Sequence, residues 1–185
     1  MRTARRITLD ESLAIFRRLQ RAFRADRQAS CGLLCKVGKY NGSAVIKLQK
    51  RSWTNDPMNV VENRSGIFFS VWVDEKSLSR QRACYNIHAL KLHELQGYDI
   101  GKSTDFASAF RRRFERGKKR WPNVSVDFGP LTLMQGWIRV NSPTFPAEID
   151  ALLRKFIELS PTIDHLLEAS KRTPNRPHSV GRRRV

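Results

Sequence analysis

Apolar and polar residues alternate along this chain with two different periods. Leu9, Leu13, Phe16, Leu19 and Phe23 recur at helical spacing, while Arg17, Arg18, Arg21 and Arg24 fall mainly off that stripe. The pattern predicts an amphipathic helix from about Leu9 to Arg24, wet on its arginine side. It opens with a capping box, Thr8-Leu9-Asp10-Glu11, in which the Thr8 hydroxyl and the Glu11 carboxylate satisfy early backbone donors. Past Gly32 the period drops to two. Leu33, Cys35 and Val37 alternate with Gly32, Leu34 and Lys36, and Val45, Lys47 and Gln49 oppose Ala44, Ile46 and Leu48. Between these strands Tyr40-Asn41-Gly42-Ser43 reads as a tight hairpin turn, because Asn-Gly tolerates positive φ. Gly66–Val73 is the most apolar strand, and Arg82–Leu92 is its expected partner. The intervening Ser52–Ser65, rich in Asn, Asp and Pro, reads as a loop.

Helical spacing returns at Ser103, with Phe106, Phe110 and Phe114 on one side and Gly117 as the stop. Val124–Phe128 and Leu131–Val140 are expected as two further strands joined at Gly129-Pro130. A helix starting near Pro146 carries Ile149, Leu152, Leu153 and Phe156, and Ser160-Pro161 is expected to open a short last helix through Ile163, Leu166 and Leu167. From Lys171 onward there is no periodicity and no acid, which reads as a disordered basic tail. This order predicts an α+β fold. It would hold an antiparallel sheet of about five to six strands, an N-terminal helix, a middle helix and C-terminal helices. The βαβ alternation that a parallel sheet requires is missing. The expected organisation is a basic N-terminal arm (1–8), one α+β domain (9–170) and the basic tail (171–185).

Charge changes the picture more than composition does. The 185 residues carry 35 Lys and Arg against 17 Asp and Glu, a net charge of +18. The excess is concentrated: +5 in residues 1–30, +6 in 101–122 and +6 in 171–185, while 123–170 carry −3. Such a field attracts polyanions and weakens with salt. No apolar run reaches the roughly 20 residues that a membrane-spanning helix needs, and no long apolar stretch follows the basic Met1–Arg6, so a secretory leader is not expected. Three cysteines suit a reducing compartment, and the expectation is a soluble cytoplasmic protein.

Most familiar chemistries find no support. Cys31, Cys35, Cys84 and His88 would make a tetrahedral zinc set. Strand residues four apart, however, lie roughly 13 Å apart along one face, too far to share a metal. Asp127-Phe128-Gly129 spells a kinase tripeptide without the Gly-rich loop, strand lysine or catalytic loop that should accompany it. No dinucleotide fingerprint or P-loop is present, and no cofactor or metal is expected. A metal-dependent nuclease or hydrolase would have to use Asp74, Glu75 and His88, a set equally explained by a charged turn and a hydrogen-bonded sheet histidine. Among the tryptophans, Trp121 after Lys118-Lys119-Arg120 offers the best case for base stacking.

Val45-Ile-Lys-Leu-Gln-Lys-Arg-Ser52 followed by Ser65-Gly-Ile-Phe-Phe-Ser-Val-Trp-Val73 resembles a bacterial family of α+β domains of unknown function. Members pair a leading helix with a strand ending in Leu-Gln-Lys-Ser and a following aromatic strand. The resemblance covers about residues 9–95 and departs at Arg51, inserted between Lys50 and Ser52. It implies the fold and no activity.

The function expected is association with nucleic acid, DNA or RNA, or another polyanion, through phosphate contacts and without catalysis. One candidate surface is Arg17, Arg18, Arg21 and Arg24. A second is Arg111, Arg112, Arg113, Arg116, Lys118, Lys119 and Arg120, and a third is the tail trio Arg182, Arg183 and Arg184. Arginine suits the task because its planar fork meets phosphate oxygens two at a time. The alternative is a module that docks an acidic protein partner. No membrane partner is expected.

Overall fold

The computed structural model describes residues 7–140 and 143–171. Most of the expected N-terminal arm and nearly all of the basic tail, including Arg182, Arg183 and Arg184, lie outside the described residues. Helix α1 (Leu9–Asp26) begins with the capping box read from the sequence: the Glu11 amide donates to Thr8 Oγ1 and the Thr8 amide to Glu11 Oε2, at 3.2 and 2.8 Å. A four-residue helix, α2 (Gln28–Cys31), leads through left-handed Gly32 into the sheet. The strands are β1 (Leu33–Tyr40), β2 (Ser43–Lys50), β3 (Gly66–Val73), β4 (Arg82–Leu90) and β5 (Thr132–Arg139). They pair antiparallel in chain order, β1-β2-β3-β4-β5, with Tyr40 opposite Ser43 at the Asn41-Gly42 turn. The remaining helices are α3 (Glu75–Ser79), α4 (Ser103–Phe114) and α5 (Phe145–Glu168).

The fold is therefore α+β, with α1, α4 and α5 packed on one face of a five-stranded antiparallel meander. Strand alternation sends Cys35, Ile46, Leu48, Phe69, Val71, Tyr85 and Ile87 to the helical side, where all are buried. There a run of aromatic contacts crosses the core. Trp53 meets Phe69 edge-on at 5.3 Å, Phe69 stacks on Phe156 at 4.7 Å, and Phe156 meets Trp121 at 5.3 Å. Each such pair adds about 0.5–1.5 kcal/mol beyond its area burial. Gly136 on β5 makes room for Tyr85, because a Cβ there would fall 2.4 Å from the phenol ring; the Tyr85 hydroxyl donates to the Pro122 carbonyl at 2.5 Å.

Three expectations from the sequence are corrected. Residues 124–128 form no strand and meet β5 only through an isolated bridge, Ser125 to Gln135, which leaves five strands among the described residues. Ser160-Pro161 opens no new helix; α5 runs through it. Proline there removes the donor that would meet the Ile157 carbonyl, and the Ser160 hydroxyl supplies a replacement at 2.9 Å. Trp121 is no stacking platform. It is 6% exposed and packed among Tyr85, Phe114 and Phe156.

Candidate anion-binding surfaces

The basic segment after α4 continues as a 3-10 turn, Glu115–Arg120, which bends the chain back toward α5. Between these elements lies a groove of about 540 Å³. Arg113, Arg116, Arg120, Arg154 and Lys155 line it, with Glu158 as the one carboxylate among the described residues there. The Arg120 guanidinium stands 3.8 Å from Glu158, and both side chains are largely exposed, so this pair neutralises little. Lys155 donates to the Arg120 carbonyl and stands over the Trp121 ring, fixing one wall. Arg154 shares Asp150 with Arg27, whose guanidinium meets that carboxylate in a fork at 2.6 and 3.3 Å. Burial pushes the Asp150 carboxyl upward, and the two arginines more than offset it, holding the group below its ordinary value. A second depression of about 420 Å³ continues the groove past Lys119, shares Arg120, Trp121, Ala151 and Lys155 with it, and adds the carboxylate of Glu148.

The basic residues singled out in the sequence separate into distinct environments. Arg113, Arg116 and Arg120 converge in the groove, with exposed Lys119 beside it and exposed Arg112 outside its lining. Lys118 is half-buried beside Glu115 at 3.4 Å. Arg111 is occupied structurally: its guanidinium donates to the carbonyls of Phe128, Gly129, Thr132 and Leu133 and so ties the segment before β5 to α4. Arg17, Arg18, Arg21 and Arg24 are exposed on α1, over β1 and β2, and none of them lines the groove. The contributions of Arg154 and Lys155 were invisible in the sequence because they come from the mildly acidic segment of the chain.

The opposite face of the sheet carries no helix of the α1–α4–α5 layer. Here the loop after Trp53 brings Val61 over Gly38 of β1 and Lys47 of β2, organised by Asn63, whose amide donates to Thr54 Oγ1 and to the Asp56 carbonyl and whose Oδ1 accepts from the Ser65 amide. Beside this loop is a cleft of about 310 Å³. Four neighbouring polar side chains meet there. Ser70 Oγ donates to Asn86 Oδ1 at 2.5 Å, and Asn86 Nδ2 donates to His88 Nε2 at 2.7 Å. The Leu131 carbonyl can only accept, so the His88 proton resides on Nδ1, 3.1 Å away. Burial lowers the His88 imidazole from its ordinary value against the pull of that hydrogen bond, and the Lys47 charge lowers it further.

Lys47, the fourth, extends from β2 and donates to the Val61 carbonyl at 2.6 Å. Burial depresses its amine to about 8. Lys36 and Tyr40 on β1, Arg64 in the loop and His88 on β4 are the titratable groups around it. A lysine lowered in the folded protein favours the neutral form there. Stability is therefore fullest above the free-lysine value of 10.5 and is lost as pH falls through about 8. Urea midpoints measured from pH 7 to 10.5 should rise for the wild type relative to Lys47→Met; a flat difference would show that the ammonium is fully compensated in the fold.

Of the two carboxylates considered for metal chemistry, Asp74 is committed to a helix cap. Asp74 caps α3, accepting from the Ser77 amide at 2.6 Å while Ser77 Oγ accepts from the Asp74 amide. Cys35 faces the helical core and Cys84 the open face, so the two thiols share no site. Burial pushes the Cys35 thiol up to about 12 and also raises Cys84, which keeps both protonated. No group of three or more His, Cys, Asp or Glu among the described residues is arranged to hold a metal. No helix among them is long and apolar enough to cross a membrane. No family model, curated protein or solved structure matches the chain.

Proposed function

We propose that the protein associates with nucleic acid through phosphate contacts made in the α4–α5 groove. The observation that carries this reading is the lining of that groove: five cationic side chains against a single exposed carboxylate. Arg113 and Arg116 have no ion pair among the described residues, and their guanidinium groups are free to meet phosphate oxygens in pairs. The adjoining depression lengthens the path, which suits a polymer better than an isolated anion. Contacts of this kind position a backbone without reading sequence.

Fluorescence-anisotropy titrations of labelled RNA and DNA oligonucleotides at several salt concentrations test the proposal. Neutralising about five phosphates gives a log–log salt slope near −4.5 on duplex and near −3.5 on single strands. Arg113→Glu with Arg116→Glu should weaken binding at least tenfold at low salt and flatten the slope by about 2. Unchanged affinity in that double variant, or no binding to either nucleic acid at low salt, would overturn the reading and leave the acidic protein partner as the better account of the groove.

A further inference from the structure

The open face of the sheet holds a charge that no carboxylate among the described residues pairs with. The Lys47 ammonium lies 4.9 Å from the ring centre of Tyr40 and 4.3 Å from that of Phe68. It is 4% exposed, and its hydrogen bond among the described residues goes to the Val61 carbonyl. An ammonium carries three donors, so one carbonyl leaves most of its capacity unused. No carboxylate among the described residues lines the surrounding cleft, whereas Arg64 at the mouth adds a second positive charge. Burying an ammonium without an anionic partner is costly, and the two aromatic faces offset only part of that cost.

The walls define the rest of the ligand. Tyr40 and Trp72 are half-buried aromatic residues lining the cleft, with Val45 and Leu90 as aliphatic surface. Ser70, Asn86 and His88 hold one another in a chain that ends on the Leu131 carbonyl, which makes them a rigid neutral wall with no anion of its own. A volume of about 310 Å³ sits at the small end of the usual range for ligand sites. A bare phosphate would leave the aromatic walls in water, and a purely apolar guest would leave Lys47 without a counter-charge.

We infer that this cleft binds a small organic anion with a flat ring, its charged group paired with Lys47 and Arg64 and its ring lying against Tyr40 and Trp72. An aromatic carboxylate and a free nucleoside monophosphate share that chemistry. The site is on the far side of the sheet from the α4–α5 groove and does not depend on the nucleic-acid reading.

Saturation-transfer NMR and isothermal titration calorimetry on the full chain test it, with 1-naphthoate and uridine 5′-monophosphate as probes. The neutral 1-naphthalenemethanol and inorganic phosphate each lack one half of the recognised chemistry. At least one of the two anionic probes should bind, and which of them binds distinguishes an aromatic acid from a nucleotide as the source. The incomplete compounds should bind at least tenfold more weakly. Lys47→Met and Trp72→Ala should each reduce affinity tenfold or more, and the Arg113→Glu, Arg116→Glu double variant should bind like the wild type. If Lys47→Met fails to give native near-ultraviolet dichroism, Arg64→Met provides the same comparison. The inference is overturned if neither anionic probe binds at millimolar concentration. It is also overturned if the neutral alcohol binds as well as the acid, or if folded Lys47→Met or Arg64→Met protein keeps full affinity.

Discussion

Gly66→Ala is expected to lower the stability of the fold by about 3–4 kcal/mol and its thermal midpoint by roughly 10 °C. Two independent costs combine at this position. Gly66 has φ +80°, in the left-handed region that L side chains adopt only with strain. A Cβ there would also fall 2.0 Å from the Trp53 carbonyl oxygen and 2.9 Å from Thr54 Cα, both backbone atoms that no rotamer change can move. The chain is pinned at this point because Gly66 starts β3 opposite Leu90 while the Trp53 side chain is buried in the core. Gly42→Ala is the matched control: its φ is +75°, but nothing lies within 4 Å of the added carbon, so only about 1 kcal/mol of conformational cost is expected. Chemical denaturation of both variants checks the pair. Equal losses at the two glycines would show that the contact with residues 53–54 yields easily.

Asp164→Ala should cost about 2–3 kcal/mol, a large effect for a partly exposed carboxylate. One oxygen accepts from the Trp53 indole at 2.8 Å and the other from the Lys50 ammonium at 2.5 Å. Trp53 itself is fully buried, so removing the acceptor strands an indole N–H inside the protein. Lys50 is only 20% exposed and would lose its counter-charge in the same step. Asp164→Asn separates the two contributions, since an amide oxygen can still serve Trp53 but carries no charge for Lys50. Its loss in urea denaturation should be near half that of the alanine variant and, being the ion-pair share, proportionally more sensitive to salt. Identical losses for Asn and Ala would assign the whole effect to the ion pair.

The parts of the fold legible in the sequence are those encoded by short-range pattern. The Thr8–Glu11 cap, the stripe through Leu13, Phe16 and Phe23, and the Asn41-Gly42 turn each depend on residues a few positions apart, and each is found where the pattern places it. The even alternation of β2 is equally local, and it puts Ile46 on the helical side and Lys47 on the open face. What escaped the sequence was set by contacts between distant segments. Pro161 reads as a break until the Ser160 hydroxyl is seen to serve the Ile157 carbonyl. Arg111 looks like its neighbours Arg112 and Arg113 until four carbonyls from residues 128–133 converge on it. Val124–Phe128 has the composition of a strand, but it meets the outer edge of β5 only at Ser125.

The candidate surfaces were less legible still. Arg113, Arg116 and Arg120 could be named from their charge, but their partners Arg154 and Lys155 belong to a helix whose segment is net acidic. In the sequence Lys47 reads as one polar residue in an alternating strand. Its burial depends on residues 59–64 folding across β1 and β2, a path the loop sequence does not reveal. No short-range signal marks this lysine: Ser43, Lys47 and Gln49 fall on the same side of β2, the pattern of a solvated face.

Because strand order follows chain order, each new strand emerging during synthesis meets its neighbour already made, and the sheet can grow hairpin by hairpin from its N-terminal edge. The helical cover does not share that order. Phe69 stacks on Phe156, and Tyr85 meets the same ring, so residues laid down early wait for one supplied by the last helix. A chain released before Phe156 is made has its pairing partners in place and its greasy side bare, the condition in which nascent proteins most need a chaperone.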